Sequence, residues 1–299
     1  MTTQRIVNLS GVGQTGNQFA LIKVGDVMSK TNHRLYRQGR KYCVRLHIAP
    51  TVRGRVRVFA LRNDWMIANA WKLAFQTFMN NSKEEMDVLS KNTMARWQDF
   101  RIAPGIGAGH SVLNPVLYSM ATIPAPYTGT QLTAAELVDS QVTNDAGIPL
   151  TFSWGAGTGS IFSVLEEYDK MGNAQTQPAS ATTQAAYASL EKETTNSQID
   201  HLSNDGNAPP YDNVTLNPAQ PWVQVADIGN GTGAGQVDLG RLSTQYFDAP
   251  CGFVVVHFEN GGEAFDEELT LECKPGTYKG IDAPAMGVAR LKMNHYEVK

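Results

Sequence analysis

Residues 41–48 read KYCVRLHI, and residues 52–61 read VRGRVRVFAL. In the first stretch Tyr42, Val44, Leu46 and Ile48 share one parity, and Lys41, Cys43, Arg45 and His47 share the other. That period of two is the mark of a strand with one apolar and one polar face. The second stretch repeats it, with Arg53, Arg55 and Arg57 opposite Val52, Val56 and Val58. Two strands with core on one side and cations on the other set the expectation for the chain.

Outward from this pair, further runs have strand character: NQFALIKV (17–24), VLYSMATI (116–123), IPLTFSW (148–154), IFSVLEEY (161–168), PWVQVADI (221–228), CGFVVVHFE (251–259) and EELTLECKP (267–275). The segment 136–143 is ambiguous. The unbroken FVVV predicts a strand buried on both faces. Twenty-seven Gly and fourteen Pro in 299 residues supply the turns that many short strands require. With NQFALIKV set apart, the runs give eight strands, so the expected fold is all-β: a single eight-stranded antiparallel jelly roll.

The helical exception lies at 64–99. In WMIANAWKLAFQTFMNN, Trp65, Ala68, Trp71, Phe75, Phe78 and Met79 recur at helical spacing, with Asp64 as N-cap. Ser82 and Glu85 form a capping box for a second helix through Met86, Leu89, Thr93 and Trp97. Residues 171–213, polar and rich in Ala, Thr and Gln, read as a long surface excursion. The expected organisation is an N-terminal segment, 1–29, followed by one domain, 30–299.

Charge narrows the function. Residues 1–101 hold 17 Lys and Arg against 6 Asp and Glu, whereas residues 102–299 hold 8 against 22. Residues 30–62 contain ten basic residues and no acidic one. A polyanion is the partner this predicts. Alternate side chains on a strand lie about 6.6 Å apart, close to the spacing of phosphates along a nucleic-acid strand. The candidate nucleic-acid-binding residues are Arg34, Arg37, Arg40, Lys41, Arg45, Arg53, Arg55 and Arg57.

Signatures of chemistry are weak. GVGQTG (11–16) fits G-x-G-x-x-G, but strand-like NQFALIKV follows where a dinucleotide site needs a helix. The other Gly-rich stretches lack the Lys-Ser/Thr of a phosphate-binding loop. Cys43 and His47, four residues apart on one strand, stand roughly 13 Å apart, too far to share a metal ion. The expectation is a protein that is not an enzyme and needs no cofactor or metal. Three cysteines are too few for a disulfide framework. MTTQRIVNLSG lacks a secretory pattern, and no run approaches the roughly 18 apolar residues of a membrane span.

The basic strand pair, LRNDWMIANAWKLAFQTFMNN (61–81), ARWQDFRI (95–102), GNAPPYD (206–212), FDAPCGFVVVHFEN (247–260) and LTLECKPGTYKGIDAPAMG (269–287) together resemble capsid proteins of small circular, Rep-encoding single-stranded DNA viruses. The resemblance implies a jelly-roll subunit that self-assembles into an icosahedral shell, of sixty copies or a multiple, around circular single-stranded DNA. It also implies a virion protein that passes through the host nucleus or cytoplasm during assembly. The basic strand surface would then face the interior. One departure is plain: such proteins commonly begin with an arginine-rich arm, whereas residues 1–29 hold only Arg5 and Lys23. Arg34, Arg37, Arg40 and Lys41 are the candidate substitute. Two readings from other classes compete: a jelly-roll module binding a glycan or other soluble ligand without forming shells, and a hydrolase on the same scaffold.

Overall fold

The computed structural model describes residues 2–10, 14–15, 18–48, 55–82, 99–106, 110–112, 114–118, 129–131, 138–144, 147–157, 159–173, 221–228, 243–259, 264–265 and 268–286. They are mostly β. Two large sheets carry the fold, and their strands are interleaved in sequence.

The chain opens with β1 (Ile6–Ser10), the two-residue β2 (Gln14–Thr15) and β3 (Gln18–Lys23), which leads directly into helix α1 (Val24–Asn32). Strand β4 (Lys41–Ile48) follows, then β5 (Arg55–Leu61) and helix α2 (Trp65–Asn81). Next come β6 (His110–Val112), β7 (Asn114–Tyr118), β8 (Gly129–Gln131), β9 (Gln141–Thr143), β10 (Pro149–Ser153), β11 (Ile161–Ser163) and helix α3 (Val164–Asn173). The last part supplies β12 (Trp222–Ile228), β13 (Phe247–Pro250), β14 (Phe253–Glu259), β15 (Ala264–Phe265), β16 (Glu268–Cys273) and β17 (Pro275–Tyr278).

One sheet has the order β13-β4-β16-β1-β7-β8 and the other β12-β5-β14-β3-β6. Pairing is antiparallel except where β6 joins β3 in parallel. Between the sheets lies one core. Val7, Leu9, Tyr42, Val44, Leu46, Leu269 and Leu271 enter it from the first sheet, and Ala20, Ile22, Val56, Val58, Val254, Val256 and Phe258 from the second. The alternation expected of β4 and β5 is therefore what sets their core faces. Helix α1 adds Val24, Val27 and Met28 to the same core.

The five-stranded sheet is covered on its other face too. Leu21, Leu61, Phe253 and Val255 point away from the first core into a second, built with Met66, Ile67, Ala70 and Ala74 of α2 and with Phe100, Ile102, Phe152, Trp154, Val164 and Leu165. Burial on both faces is why Phe253, Val254, Val255 and Val256 form an unbroken apolar run. The small sheet β11-β10-β9 and α3 complete this third layer.

Several expectations need correction. IFSVLEEY is a strand only to Ser163 and then becomes α3. The cause is local: the backbone N–H of Glu166 donates to Ser163 Oγ at 3.4 Å, the N-cap contact of an S-x-x-E box. On α2 the N-cap holds, with the Ile67 N–H donating to Asp64 Oδ1 at 2.9 Å, but the buried stripe is rotated. Met66, Ile67, Ala68, Ala70 and Ala74 are buried, while Trp65, Phe75 and Met79 are exposed. Small side chains let the helix sit close to the sheet, and the aromatic groups flank that contact. Residues 6–10 pair within one large sheet and residues 18–23 within the other, and α1 runs across residue 29. The expected second helix from Ser82 onward and nearly all of the excursion 171–213 lie outside the described residues.

Candidate nucleic-acid interface

The two basic strands are not neighbours. β4 belongs to one sheet and β5 to the other, and both turn their apolar parity toward the core between them. Their outward faces consequently look in opposite directions, so the two strands do not present their cations from one sheet surface.

On β4 two outward side chains share a carboxylate. His47 Nε2 lies 2.8 Å from Glu272 Oε2, and Arg45 Nε is 3.9 Å from the same oxygen. Tyr246 O–H donates to Glu272 Oε1 at 2.6 Å, and its ring lies 5.7 Å from the Arg45 guanidinium carbon. The hydrogen bond from Tyr246, and then that from His47, hold the Glu272 carboxyl below the usual range. On β5, Arg57 stands in register opposite Asp227 of β12 and His257 of β14, and Arg55 opposite Glu259. Beyond them Phe59 and Leu61, on the same parity, pass under α2. Arg53 lies outside the described residues.

The remaining candidates gather elsewhere, between α1 and β4. His33 ends α1 in the left-handed conformation, with φ of 51°. The segment that follows is pinned at every second or third residue. Tyr36 is buried and its O–H donates to Lys279 O at 3.1 Å. Tyr42 O–H donates to Arg37 O at 2.7 Å, and Arg37 N–H donates to Tyr278 Oη at 3.2 Å. Gln38 is buried, exchanging two hydrogen bonds with the backbone of Ile102. Arg40 lays its guanidinium 3.7 Å from the centroid of the Tyr278 ring and donates to Ala283 O. Lys41 starts β4, its N–H donating to Pro284 O.

Beneath this segment is a charged network. Asp99, whose side chain is 4% exposed, accepts from Gln38 N–H at 3.0 Å and lies 3.5 Å from Arg37 Nη1. Burial pushes its carboxyl above the ordinary range, against the opposing pull of the Gln38 amide and of Arg101 and Arg37. Nη2 of buried Arg101 lies 2.6 Å from both carboxylate oxygens of Asp26 on α1.

Tyr278 and Lys279 were not among the sequence candidates. The hairpin KPGTYKG carries them, and its only local signal is Lys-Gly at a turn position. Among the described residues, no group of three His, Cys, Asp or Glu side chains is placed to hold a metal ion, and no helix is long and apolar enough to cross a membrane. Cys43, Cys251 and Cys273 are free and buried, and burial raises all three thiols, Cys273 to about 12. No family model, curated protein or solved structure matches the chain.

Proposed function

We propose that this chain is a viral capsid subunit, a jelly roll that self-assembles into an icosahedral shell and packages single-stranded DNA through its cations. The observation that carries the reading is the winding order. Eight strands taken along the chain, β1, β3, β4, β5, β12, β13, β14 and β16, fall into two sheets as β13-β4-β16-β1 and β12-β5-β14-β3. Each consecutive pair, β1 with β3, β4 with β5, β12 with β13 and β14 with β16, is split between the sheets. That alternation is how two Greek keys roll up into a jelly roll. On this reading β6, β7 and β8 extend the edges beside β3 and β1, and α2, α3 and the small sheet are additions to one wall.

The charge distribution supports the functional half. Cations concentrate before residue 102 and carboxylates after it, as suits a wall with a nucleic-acid side and a solvent side. Phosphate contact without base readout is what packaging requires. With ten cations per subunit from residues 30–62, some already paired with carboxylates, sixty subunits would balance fewer than about 600 phosphates, and a longer genome would need other counterions.

Light scattering of the purified protein, followed by nuclease digestion, tests the reading. The expected result is a particle of shell-like mass enclosing nuclease-resistant DNA. A stable 32.6 kDa monomer under all salt conditions contradicts it, and glycan binding by such a monomer would favour the ligand-binding alternative.

A further inference from the structure

We infer that the polynucleotide is held not by the outward faces of β4 and β5 but by a patch built from two distant segments: the 34–40 segment and the tip of the hairpin after β17. The inference relies on the packaging reading for its choice of polyanion and adds the place of contact. Two cations lie against two tyrosine rings, and two more sit in the same short segment. Arg40 lies 3.7 Å from the Tyr278 ring centroid. Lys279 Nζ stands 5.5 Å from the Tyr278 ring and 5.6 Å from that of Tyr36, and donates to Leu35 O. Arg37 is tied to the Tyr278 hydroxyl through its backbone, and its side chain is 57% exposed. Arg34 begins the segment, its backbone N–H donating to Ser29 O at 3.3 Å.

Asp99, which pairs with Arg37, lies beneath it and is almost wholly buried. On β4, by contrast, Arg45 and His47 are drawn to one Glu272 carboxylate, and Arg57 of β5 stands in register with Asp227.

The backbone adds a second argument. Lys279 and Gly280 have φ of 50° and 91°, the two left-handed positions of a type I′ turn, and Tyr278 bridges to Ile281 across it. Asparagine or glycine adopts the first position at lower cost than lysine does. A lysine in this place keeps a cation at the turn tip, where its ammonium donates to the Leu35 carbonyl. Cations held in place by aromatic faces and carbonyls lose little freedom on meeting phosphate, and they contact the backbone of any sequence.

The test compares binding of a fluorescent oligo-dT strand to the whole protein over a salt series. The variant Lys279→Asn with Arg34→Gln removes two cations while keeping a residue suited to the turn, and thermal unfolding checks that it folds as the parent does. Loss of two phosphate contacts should weaken binding about 25-fold at 0.1 M salt and flatten the slope of log K against log salt by about 1.4. Arg45→Gln should leave both unchanged. Unchanged binding by the double variant, an equal loss with Arg45→Gln, or no binding by the parent at low salt would overturn the site. Its failure is separable from that of the shell: a chain that never assembles yet loses oligonucleotide binding in the double variant contradicts the capsid reading and leaves the patch standing, whereas particles that form with unaltered binding contradict only the patch.

Discussion

Strands β4 and β5 carry nearly the same text, alternating aliphatic and basic residues, and the molecule uses them differently. The outward face of β4 stays at the surface, where Arg45 and His47 meet Glu272 and Tyr246. The outward face of β5 starts among charged neighbours and ends under a helix, with Leu61 1% exposed in the second core. Alternation specifies that a strand has two faces. It does not specify what is laid over the second one, because that depends on where the rest of the chain returns.

Substitutions can break this contrast or sharpen it. The largest effect is expected in the third layer: Phe152→Ala should cost about 3–5 kcal/mol in urea unfolding, since Phe152 is fully buried against Phe78, Phe100 and Phe162. Leu61→Ala, at an outward position of β5, should cost about 2–5 kcal/mol, as a core leucine does. A loss below about 0.5 kcal/mol, the range of surface substitutions, would mean that α2 does not cover that face. Asp64→Ala removes the cap that orients α2 over the sheet and should cost about 1 kcal/mol by the same measurement. Arg45→Ala, at an outward position of β4, should stay within roughly 0–1 kcal/mol, because the ion pair is partly solvated and Glu272 keeps Tyr246 and His47.

Acid titration separates two carboxyls by sign. Glu272 has its folded pKa depressed, so its stabilising contribution is present above its ordinary value of 4.5 and is lost as pH falls through the folded value. Asp99 has its folded pKa raised, so its contribution is most favourable below its ordinary value of 3.8 and declines as pH rises through the folded value. Melting curves across this range should therefore show the parent losing ground to Glu272→Gln on acidification and gaining on Asp99→Asn. Parallel shifts in both variants would contradict the assignment of Asp99 as the buried partner.

Much of the sheet framework was legible in the sequence. β4 appears at residues 41–48 as expected, and β5, β12, β14 and β16 fall inside their expected segments. Alternation is written residue by residue and needs no tertiary information. Two of the eight proposed wall strands were not anticipated. IVNLS near the start is too short for its alternation to stand out, and FDAP contains a proline that reads as a turn. Helix α3 was missed because its capping box lies inside an apolar run that also suits a strand. The candidate interface was only half legible. The cations of 34–41 lie close together in sequence, but the meeting of Arg40 with Tyr278 spans more than 230 residues and arises from pairing at the ends of β4, β13 and β16. No spacing rule encodes that.

Electron cryo-microscopy of the assembled protein tests the central claim most directly. The expected image is a closed icosahedral shell whose wall is the pair of sheets β13-β4-β16-β1 and β12-β5-β14-β3, with the 34–40 segment and the Lys279 turn facing density inside. A particle with that patch on its outer surface, or subunits that remain single in every condition, would contradict it.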